Sequence, residues 1–283
     1  MQLLQTIQEL RAYVANVKAA NKTIGFVPTM GALHDGHLTL AKAAKSEHDV
    51  AIMSVFVNPT QFGPNEDFDA YPRDLARDVQ LATSVGVDAV FAPSIEDMYP
   101  HDGGIRIHAG RQATILCGAS RPGHFDGVLQ VVAKLFHLVE PTTAYFGQKD
   151  AQQVAIIETM VRDYNFPLSL RIIPVVREDD GLAKSSRNVY LTTEERAEAP
   201  QIYAALQLAS DVLRNSGSAH EAQQAARTHI EAKTSGRIDY IEVLSYPDLA
   251  PLNDDTKDVL IAAAVYIGKT RLIDNILVSV GGQ

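Results

Sequence analysis

Val27-Pro28-Thr29-Met30-Gly31-Ala32-Leu33-His34-Asp35-Gly36-His37-Leu38 is the stretch around which the rest of the chain is read. It follows a β-prone run, Thr23 to Val27, and opens into a helical pattern from Leu38 to Ser46. Strand, glycine-bearing turn and helix in that order present a helix N-terminus. Its first backbone N–H groups lack intrahelical partners, and its positive dipole end favours an anion such as phosphate. Gly31 and Gly36 supply backbone that turns sharply and lets a flat ligand approach. His34 and His37 stand at i and i+3, so they share a face once the helix begins. Two donors there would stabilise charge building up on an attacked α-phosphorus. Plainer readings exist for the same pair. A His-x-x-His is half a metal site at most, because zinc usually takes more protein ligands and no Cys, His or Glu lies nearby at helical spacing. Either ring could instead cap the helix or face solvent. The position between strand and helix favours a nucleotide site.

At 283 residues the chain is long for one domain and comfortable for two. A hydrophobic content of 46% with 21% charged residues is that of an ordinary folded protein with a large core. The formal charge of −9 argues against DNA or RNA as the main partner, since that binding depends on neutralising phosphates with Lys and Arg. A small anionic ligand stays open. Cys117 is the only cysteine, so no intramolecular disulfide forms and a reducing compartment is compatible. The N-terminus lacks a basic-then-apolar secretory layout. Apolar runs such as Val259 to Ile267 are too short to cross a bilayer. The expectation is a cytosolic protein with neither a nucleic-acid nor a membrane partner.

Outward from the histidine stretch, strands and helices alternate. Leu3, Ile7, Leu10, Val14 and Val17 repeat at helical spacing and predict a first helix ending near Asn21. Asp49 to Val57 is a continuous apolar run, the pattern of a strand buried on both faces of a parallel sheet. Residues 58–71 read as a loop, Arg73 to Val85 as a helix and Asp88 to Ala92 as a strand. Gly118 to Gly127 reads as a second tight loop, followed by a helix from Val128 to Val139 and a strand at Thr143 to Phe146. A helix from Asp150 and a strand at Leu170 to Val176 complete the alternation, which predicts a Rossmann-like, doubly wound parallel α/β sheet. Ligands of such sheets bind beyond the C-terminal strand ends, where the loops at 28–37, 58–71, 118–127 and 147–153 fall. Beyond residue 176 the pattern changes. Helices at Glu194 to Leu213 and Ala219 to Lys233 precede strands at Arg237 to Leu244, Asp258 to Ile267 and Arg271 to Val280. Short connections between them predict an antiparallel sheet. The expected organisation is 1–176 as the nucleotide domain and 177–283 as a smaller C-terminal α+β domain.

Further chemistry clusters elsewhere. Asp180 to Asn188 packs Lys184, Ser185, Ser186 and Arg187 into a glycine-led loop suited to the outer phosphates of a nucleoside triphosphate, or equally to a solvated capping turn. In Gly147-Gln148-Lys149-Asp150, Lys149 offers a mobile point charge for a phosphate, or a surface lysine opening a helix. Gln61 and Gln153 are neutral donor–acceptor side chains able to hold a carboxylate or hydroxyl. Asp74 and Asp78 are acidic neighbours that read best as helix surface.

Six blocks occur in order: residues 28–37, Phe-Val-Asn-Pro-Thr-Gln-Phe at 56–62, Tyr-Pro-Arg at 71–73, Arg-Pro-Gly-His-Phe at 121–125, Phe-Gly-Gln-Lys-Asp at 146–150, and Gly-Leu-Ala-Lys-Ser-Ser-Arg-Asn at 181–188. With Arg-Leu-Ile-Asp-Asn at 271–275, they closely resemble the pantothenate synthetase family, the pantoate–β-alanine ligases, essentially end to end. One H-x-G-H alone would indicate only the wider nucleotidylyltransferase superfamily. The resemblance implies that ATP and pantoate give a pantoyl adenylate and pyrophosphate, which β-alanine then converts to pantothenate and AMP. It implies that Met30, Gly31, Ala32, Leu33, His34, Asp35, Gly36 and His37 contact ATP, with His37 the proton donor. Gly147, Gln148, Lys149 and Asp150 would hold nucleotide phosphate and ribose. Val176, Lys184, Ser185, Ser186 and Arg187 would bind nucleotide from the second domain, and His34, His37, Lys149 and Arg187 are the catalytic candidates. Gln61 and Gln153 would grip pantoate, Gln61 also touching β-alanine. Phe56, Val128, Val131 and Val132 would receive pantoate's methyl groups or serve the core. The family pattern leads one to expect an apolar residue at 184; Lys184 would add a phosphate contact or face solvent. Mg²⁺ accompanies the ATP chemistry, and the family is homodimeric. The rival readings are an adenylyltransferase acting on a phosphorylated acceptor and a catalytically dead nucleotide sensor. Against the first, residues 50–62 carry no basic side chain; against the second, every phosphate-facing candidate is present.

Overall fold

The computed structural model describes residues 1–280 apart from positions 65, 67, 102 and 217, so two positions of the expected 58–71 loop lie outside the described residues. Internal packing divides the chain into two units. Met1–Gly147 with Ile156–Ile173 form the first; Gln148–Ala155 with Pro174–Gln283 form the second. A single cut at residue 176 would have left Gln148–Ala155 with the first.

The first unit runs β1 (Gln2–Leu4), α1 (Ile7–Ala19), β2 (Ile24–Thr29), α2 (Asp35–Glu47), β3 (Val50–Val55), a 3-10 turn at Pro59–Gln61 and α3 (Leu75–Ser84). It continues with β4 (Ala89–Phe91), α4 (Ile95–Met98), α5 (Cys117–Ser120), α6 (His124–Val139), β5 (Thr143–Gly147), α7 (Ala151–Asp163) and β6 (Ser169–Ile173). The first turn of α7 clusters with the second unit. The six strands pair in parallel in the order β1-β4-β3-β2-β5-β6. β2 and β3 are buried along almost their whole length, as strands covered by helices on both faces must be. From β2 the chain winds one way through β3 and β4, then the other way through β5 and β6. The reversal lies between β2 and β5, the place where doubly wound sheets bind ligands. Thr29 ends β2 there, and Gly147 ends β5. Leu33 is 2% exposed and packs with Val27, Leu40, Ala44 and Met53, which pins the β2–α2 connection to the core.

Three expectations change. Residues 2–4 form an edge strand against β4 rather than the start of α1. Thr6 ends that run because its side chain accepts from Glu9 N–H while Glu9 reaches back, a capping box that starts the helix at Ile7. α6 begins at His124 instead of Val128, and α5 occupies Cys117–Ser120, so much of the expected 118–127 loop is helical. Third, the helix expected over 194–213 is two, α8 (Thr193–Glu198) and α9 (Gln201–Ser216). Pro200 separates them, since its ring cannot continue a helix from the preceding residue but suits the start of the next.

The second unit adds α10 (Ala219–Lys233) and the strands β7 (Arg237–Ser245), β8 (Asp258–Ile267) and β9 (Thr270–Ser279) in an antiparallel sheet ordered β7-β8-β9. Leu206, Ala209, Leu213, Ala226 and Ile230 of α9 and α10 bury against Ile241, Ile261, Ala263 and Val265. This is the α+β architecture expected of the C-terminal part.

Candidate active site

The turn after β2 is built from unusual backbone. Gly31 has φ +84° and Ala32 has φ +49°, two consecutive left-handed residues. The Thr29 hydroxyl accepts from Gly31 N–H at 3.1 Å and donates to the Ser54 carbonyl at 2.6 Å. Asp78, on α3, accepts from Ala32 N–H at 3.0 Å and Leu33 N–H at 2.8 Å. Asp78 is 2% exposed, so it is no part of the helix surface, whereas Asp74 caps α3 by accepting from Arg77 N–H. His34 is the N-cap of α2, which begins at Asp35 rather than at Leu38. Its Nδ1 accepts from Gly36 N–H at 3.1 Å, and His37 Nδ1 accepts from His34 N–H at 3.4 Å. The two imidazoles form a capping box, with ring centroids 4.1 Å apart.

This arrangement occupies backbone donors that the sequence left open to an anion. The N–H groups of Gly31, Ala32, Leu33, His34 and Gly36 are engaged by Thr29, Asp78 and the two rings rather than held out for a phosphate. Because each ring accepts at Nδ1, its neutral form carries the proton on Nε2. In that form each ring carries an Nε2–H donor.

Gln61 ends the 3-10 turn after β3 and is 8% exposed. Its Nε2 lies 3.1 Å from Met30 Sδ, and its Oε1 accepts from Asn58 Nδ2 at 3.2 Å. The Gln61 carbonyl accepts from His124 Nδ1 at 2.8 Å and from Arg121 Nη2 at 3.5 Å. Arg121 in turn forms a two-pronged pair with Glu66. That guanidinium, chiefly through its hydrogen bonds, holds the Glu66 carboxyl below the usual carboxylate range. Asn58 Nδ2 also donates to the Gly127 carbonyl, and Tyr99 Oη donates to Asn58 Oδ1 at 2.9 Å. Burial pushes the Tyr99 hydroxyl up, which keeps it a donor. Gly127 is required here, because a Cβ would stand 2.2 Å from the Thr60 carbonyl oxygen. Phe56, Val128, Val131 and Val132 are all buried beneath this turn's surroundings, in strand end and α6 core.

In the second unit, Gln148, Lys149 and Asp150 form a 3-10 turn leading into α7, where Gln153 is half-buried. Asn275, on β9, donates from Nδ2 to the carbonyls of both Gln148 and Lys149 at 2.9 Å. Gln148 Nε2 returns a bond to Asn275 Oδ1 at 3.4 Å. Beside Asn275, Asp274 receives both arms of Arg177 at 2.6 and 3.0 Å. Arg177 also donates to the carbonyls of Gly181 and Asn275 and stacks 3.6 Å above the Tyr203 ring. Arg177 lies in a short hairpin where Lys184 N–H donates to the Val176 carbonyl at 2.9 Å, which brings these two candidates side by side. Lys184 Nζ lies 3.4 Å from Glu178. Ser185 Oγ accepts from Arg187 N–H at 3.2 Å and caps the 3-10 turn Ser186–Tyr190.

The histidine stretch thus meets Gln61 through Met30, while Gln148–Asp150 joins Val176 and Lys184 through Asn275, Asp274 and Arg177. Asn58, Asp78, His124, Asp274 and Asn275 hold these groups and were not singled out as site residues. A signal existed for Asn58, whose Asn-Pro step makes a turn in which Oδ1 accepts from Thr60 N–H. Asp274 and Asn275 stand in the Arg-Leu-Ile-Asp-Asn block at 271–275 without a role attached to them, and Asp78 had no local signal. Among the described residues, no group of three His, Cys, Asp or Glu is set to hold a metal ion, and no helix is long and apolar enough to cross a membrane.

A doubly wound parallel sheet with a glycine-bearing turn and a helix N-terminus at its switch point is a frame used by nucleotide-binding α/β proteins. The comparisons with known proteins name the group within that class. A family model described as pantoate-beta-alanine ligase matches residues 2–277. The pantothenate synthetase of Lysinibacillus sphaericus (strain C3-41) is 69% identical over 280 residues, which is 99% of either chain. The crystal structure of pantothenate synthetase from Thermus thermophilus superposes with a TM-score of 0.91 at 45% identity, covering 98% of this chain and 99% of that one. That of the Francisella tularensis pantoate-beta-alanine ligase, complexed with beta-gamma ATP and beta-alanine, gives a TM-score of 0.80 at 40% identity over 98% and 97%. The chain belongs to the pantoate–β-alanine ligase family, and the resemblance carried by its motifs holds.

Proposed function

We propose that the chain makes pantothenate in two chemical steps whose charge is managed by the histidine pair. The overall reaction is that of its family, the ATP-dependent condensation of pantoate with β-alanine. Pantoate's carboxylate is a poor electrophile. Its attack on the α-phosphorus of ATP expels pyrophosphate and gives pantoyl adenylate, an acyl carbon with AMP as leaving group. The β-alanine amine then attacks that carbon and releases AMP. Such a sequence asks the protein mainly for positioning and for donors aimed at developing charge.

The observation that carries this reading is the two-imidazole cap at the sheet's switch point, with Nδ1 of both rings engaged by backbone. Nε2–H of His34 and His37 faces the ATP phosphates, and His37 donates to the oxygen on which charge builds. Met30 to His37 line the nucleotide. Gly147 to Asp150, Val176 and Lys184 to Arg187 complete its binding, with Lys149 and Arg187 neutralising the departing pyrophosphate. Gln61 and Gln153 hold pantoate, and Gln61 also meets β-alanine. Mg²⁺ enters with ATP as part of that substrate. The described residues form no cage for it, and this ion commonly binds through substrate phosphates and retained waters. The enzyme works as a cytoplasmic homodimer in this reading.

The test is exchange of labelled pyrophosphate into ATP without β-alanine, followed by an AMP assay once β-alanine is added. Exchange that requires pantoate, then AMP release that requires β-alanine, is the expected result. ATP binding without pantoate-dependent exchange would remove the adenylate.

A further inference from the structure

Asp78 lies outside every motif quoted above, yet the shape of the histidine turn rests on it. Asp78 is 2% exposed, and a polar group so buried needs hydrogen-bond partners in place of the lost water. Those partners are consecutive backbone N–H groups, Ala32 to Oδ2 at 3.0 Å and Leu33 to Oδ1 at 2.8 Å. In the turn that carries Gly31 at φ +84° and Ala32 at φ +49°, two successive N–H groups converge on this one carboxylate, and converging N–H groups of a turn form a concavity that takes an anion. In many nucleotide sites that anion is a phosphate. Here it is a side chain from α3.

The fit is tight. A Cβ on Gly31 would lie 2.8 Å from Asp78 Oδ2 and 3.0 Å from Val55 Cγ1. Ala32 stands in a conformation that few non-glycine residues adopt, so something must stabilise it. Leu33 is fastened below by the core and above by Asp78, and the next residue is the cap His34. The directions of both rings therefore follow from the orientation of residues 31–33.

We propose that Asp78 is a positioning residue for adenylate formation. Seated in the 31–33 concavity, it holds the left-handed turn that aims His34 and His37, and it fills the N–H groups a phosphate would otherwise take. Phosphate recognition by this turn then draws on the imidazole Nε2–H groups. Asp78 touches no reacting atom and acts only through the turn. The inference rests on the assignment of the histidine stretch to ATP made above.

Asp78→Asn separates this from simple structural support. The amide keeps the size and one acceptor oxygen but sets its NH₂ against the second backbone N–H; Asp78→Ala removes both acceptors. Pantoate-dependent pyrophosphate exchange is measured per folded, ATP-binding enzyme, beside circular dichroism and imidazole ¹⁵N spectra. For Asp78→Asn we expect kcat to fall about 100-fold while KM for pantoate moves less than about threefold, as for a small misplacement of catalytic groups. The ¹⁵N spectrum of the unaltered protein should show both rings as the Nε2–H tautomer, and the Asp78→Asn spectrum should show that pattern disturbed. If Asp78→Ala does not fold, Asp78→Asn decides. Wild-type kcat in Asp78→Asn, or a loss explained wholly by unfolded protein, overturns the role of Asp78 while the function stands. Absence of pantoate-dependent exchange in the unaltered protein overturns the function and this inference with it.

Discussion

The histidine turn and the lysine turn each follow an interior strand of the same sheet, and they are held in different ways. The N–H groups of Gly31, His34 and Gly36 are met locally, by Thr29, His37 and His34. Asp78 meets two more from 45 or 46 residues along the chain. At Gln148 and Lys149 the partner is more distant still. Both carbonyls are held by the Asn275 amide, 127 and 126 residues further on. The reason lies in which groups need partners. A helix start leaves N–H donors unmet, and a side chain within three residues can accept from them. Carbonyls at a strand-to-helix turn need a donor instead, and the NH₂ of one amide can serve two of them. The histidines therefore carry much of their own scaffold, while the lysine turn borrows one from β9.

The comparison breaks most severely at Asp274→Ala. Removing that carboxylate leaves the Arg177 guanidinium buried without its ion partner, and the expected loss is about 3–5 kcal/mol in urea unfolding. A loss under about 1 kcal/mol, the range of exposed pairs, would mean that the pair does not anchor the second unit. His37→Ala comes next. It deletes the acceptor for His34 N–H and, on the proposed function, a phosphate donor, so pantoate-dependent exchange should drop about 10²–10³-fold with the fold intact. Near-normal exchange would remove His37 from the chemistry.

Asn275→Ala tests the borrowed scaffold. Two buried carbonyls lose their donor, at an expected cost of about 1–3 kcal/mol, with KM for ATP rising if Lys149 is displaced. Reduced stability with unchanged ATP kinetics would separate the lysine turn from nucleotide binding.

The smallest effect is a pH dependence at Glu66. Its folded carboxyl sits below the ordinary value of 4.5 because Arg121 hydrogen-bonds the ionised form. The unfolded chain then takes up the proton first as pH falls. The stabilisation is present above the ordinary value and is lost as pH drops through the lowered folded one. Glu66→Gln should flatten the acid limb of a plot of urea midpoint against pH; an unchanged limb would show that the pair contributes nothing there.

Much of this was legible because several features depend on short-range rules. Alternating apolar runs and helical spacings were enough for a parallel α/β sheet followed by an antiparallel one. β1 was missed because three residues are too few to show a period, although Thr6 and Glu9 announced where α1 begins. The break at Pro200 was readable from the proline alone. The engagement of the Gly31 to His34 N–H groups was not legible, because residues 30–34 say nothing of what packs against them. Asp78 looked like a helix surface for the same reason: a lone carboxylate between apolar positions has the same spacing whether its oxygens meet water or another turn's backbone.

By itself the sequence determined the fold class, the family and the residue types that chemistry needs, since strand and helix periods and the H-x-G-H, Gln-Lys-Asp and Lys-Ser-Ser-Arg blocks are written in consecutive positions. Tertiary structure alone decided which strands flank β2, that Asp78 fills the concavity beside His34, and that Asn275 and Arg177 hold the turn carrying Lys149. Those facts turn on distances between atoms far apart in the chain, and a buried hydrogen bond is fixed by the partner that folding delivers, which no local pattern of residues encodes.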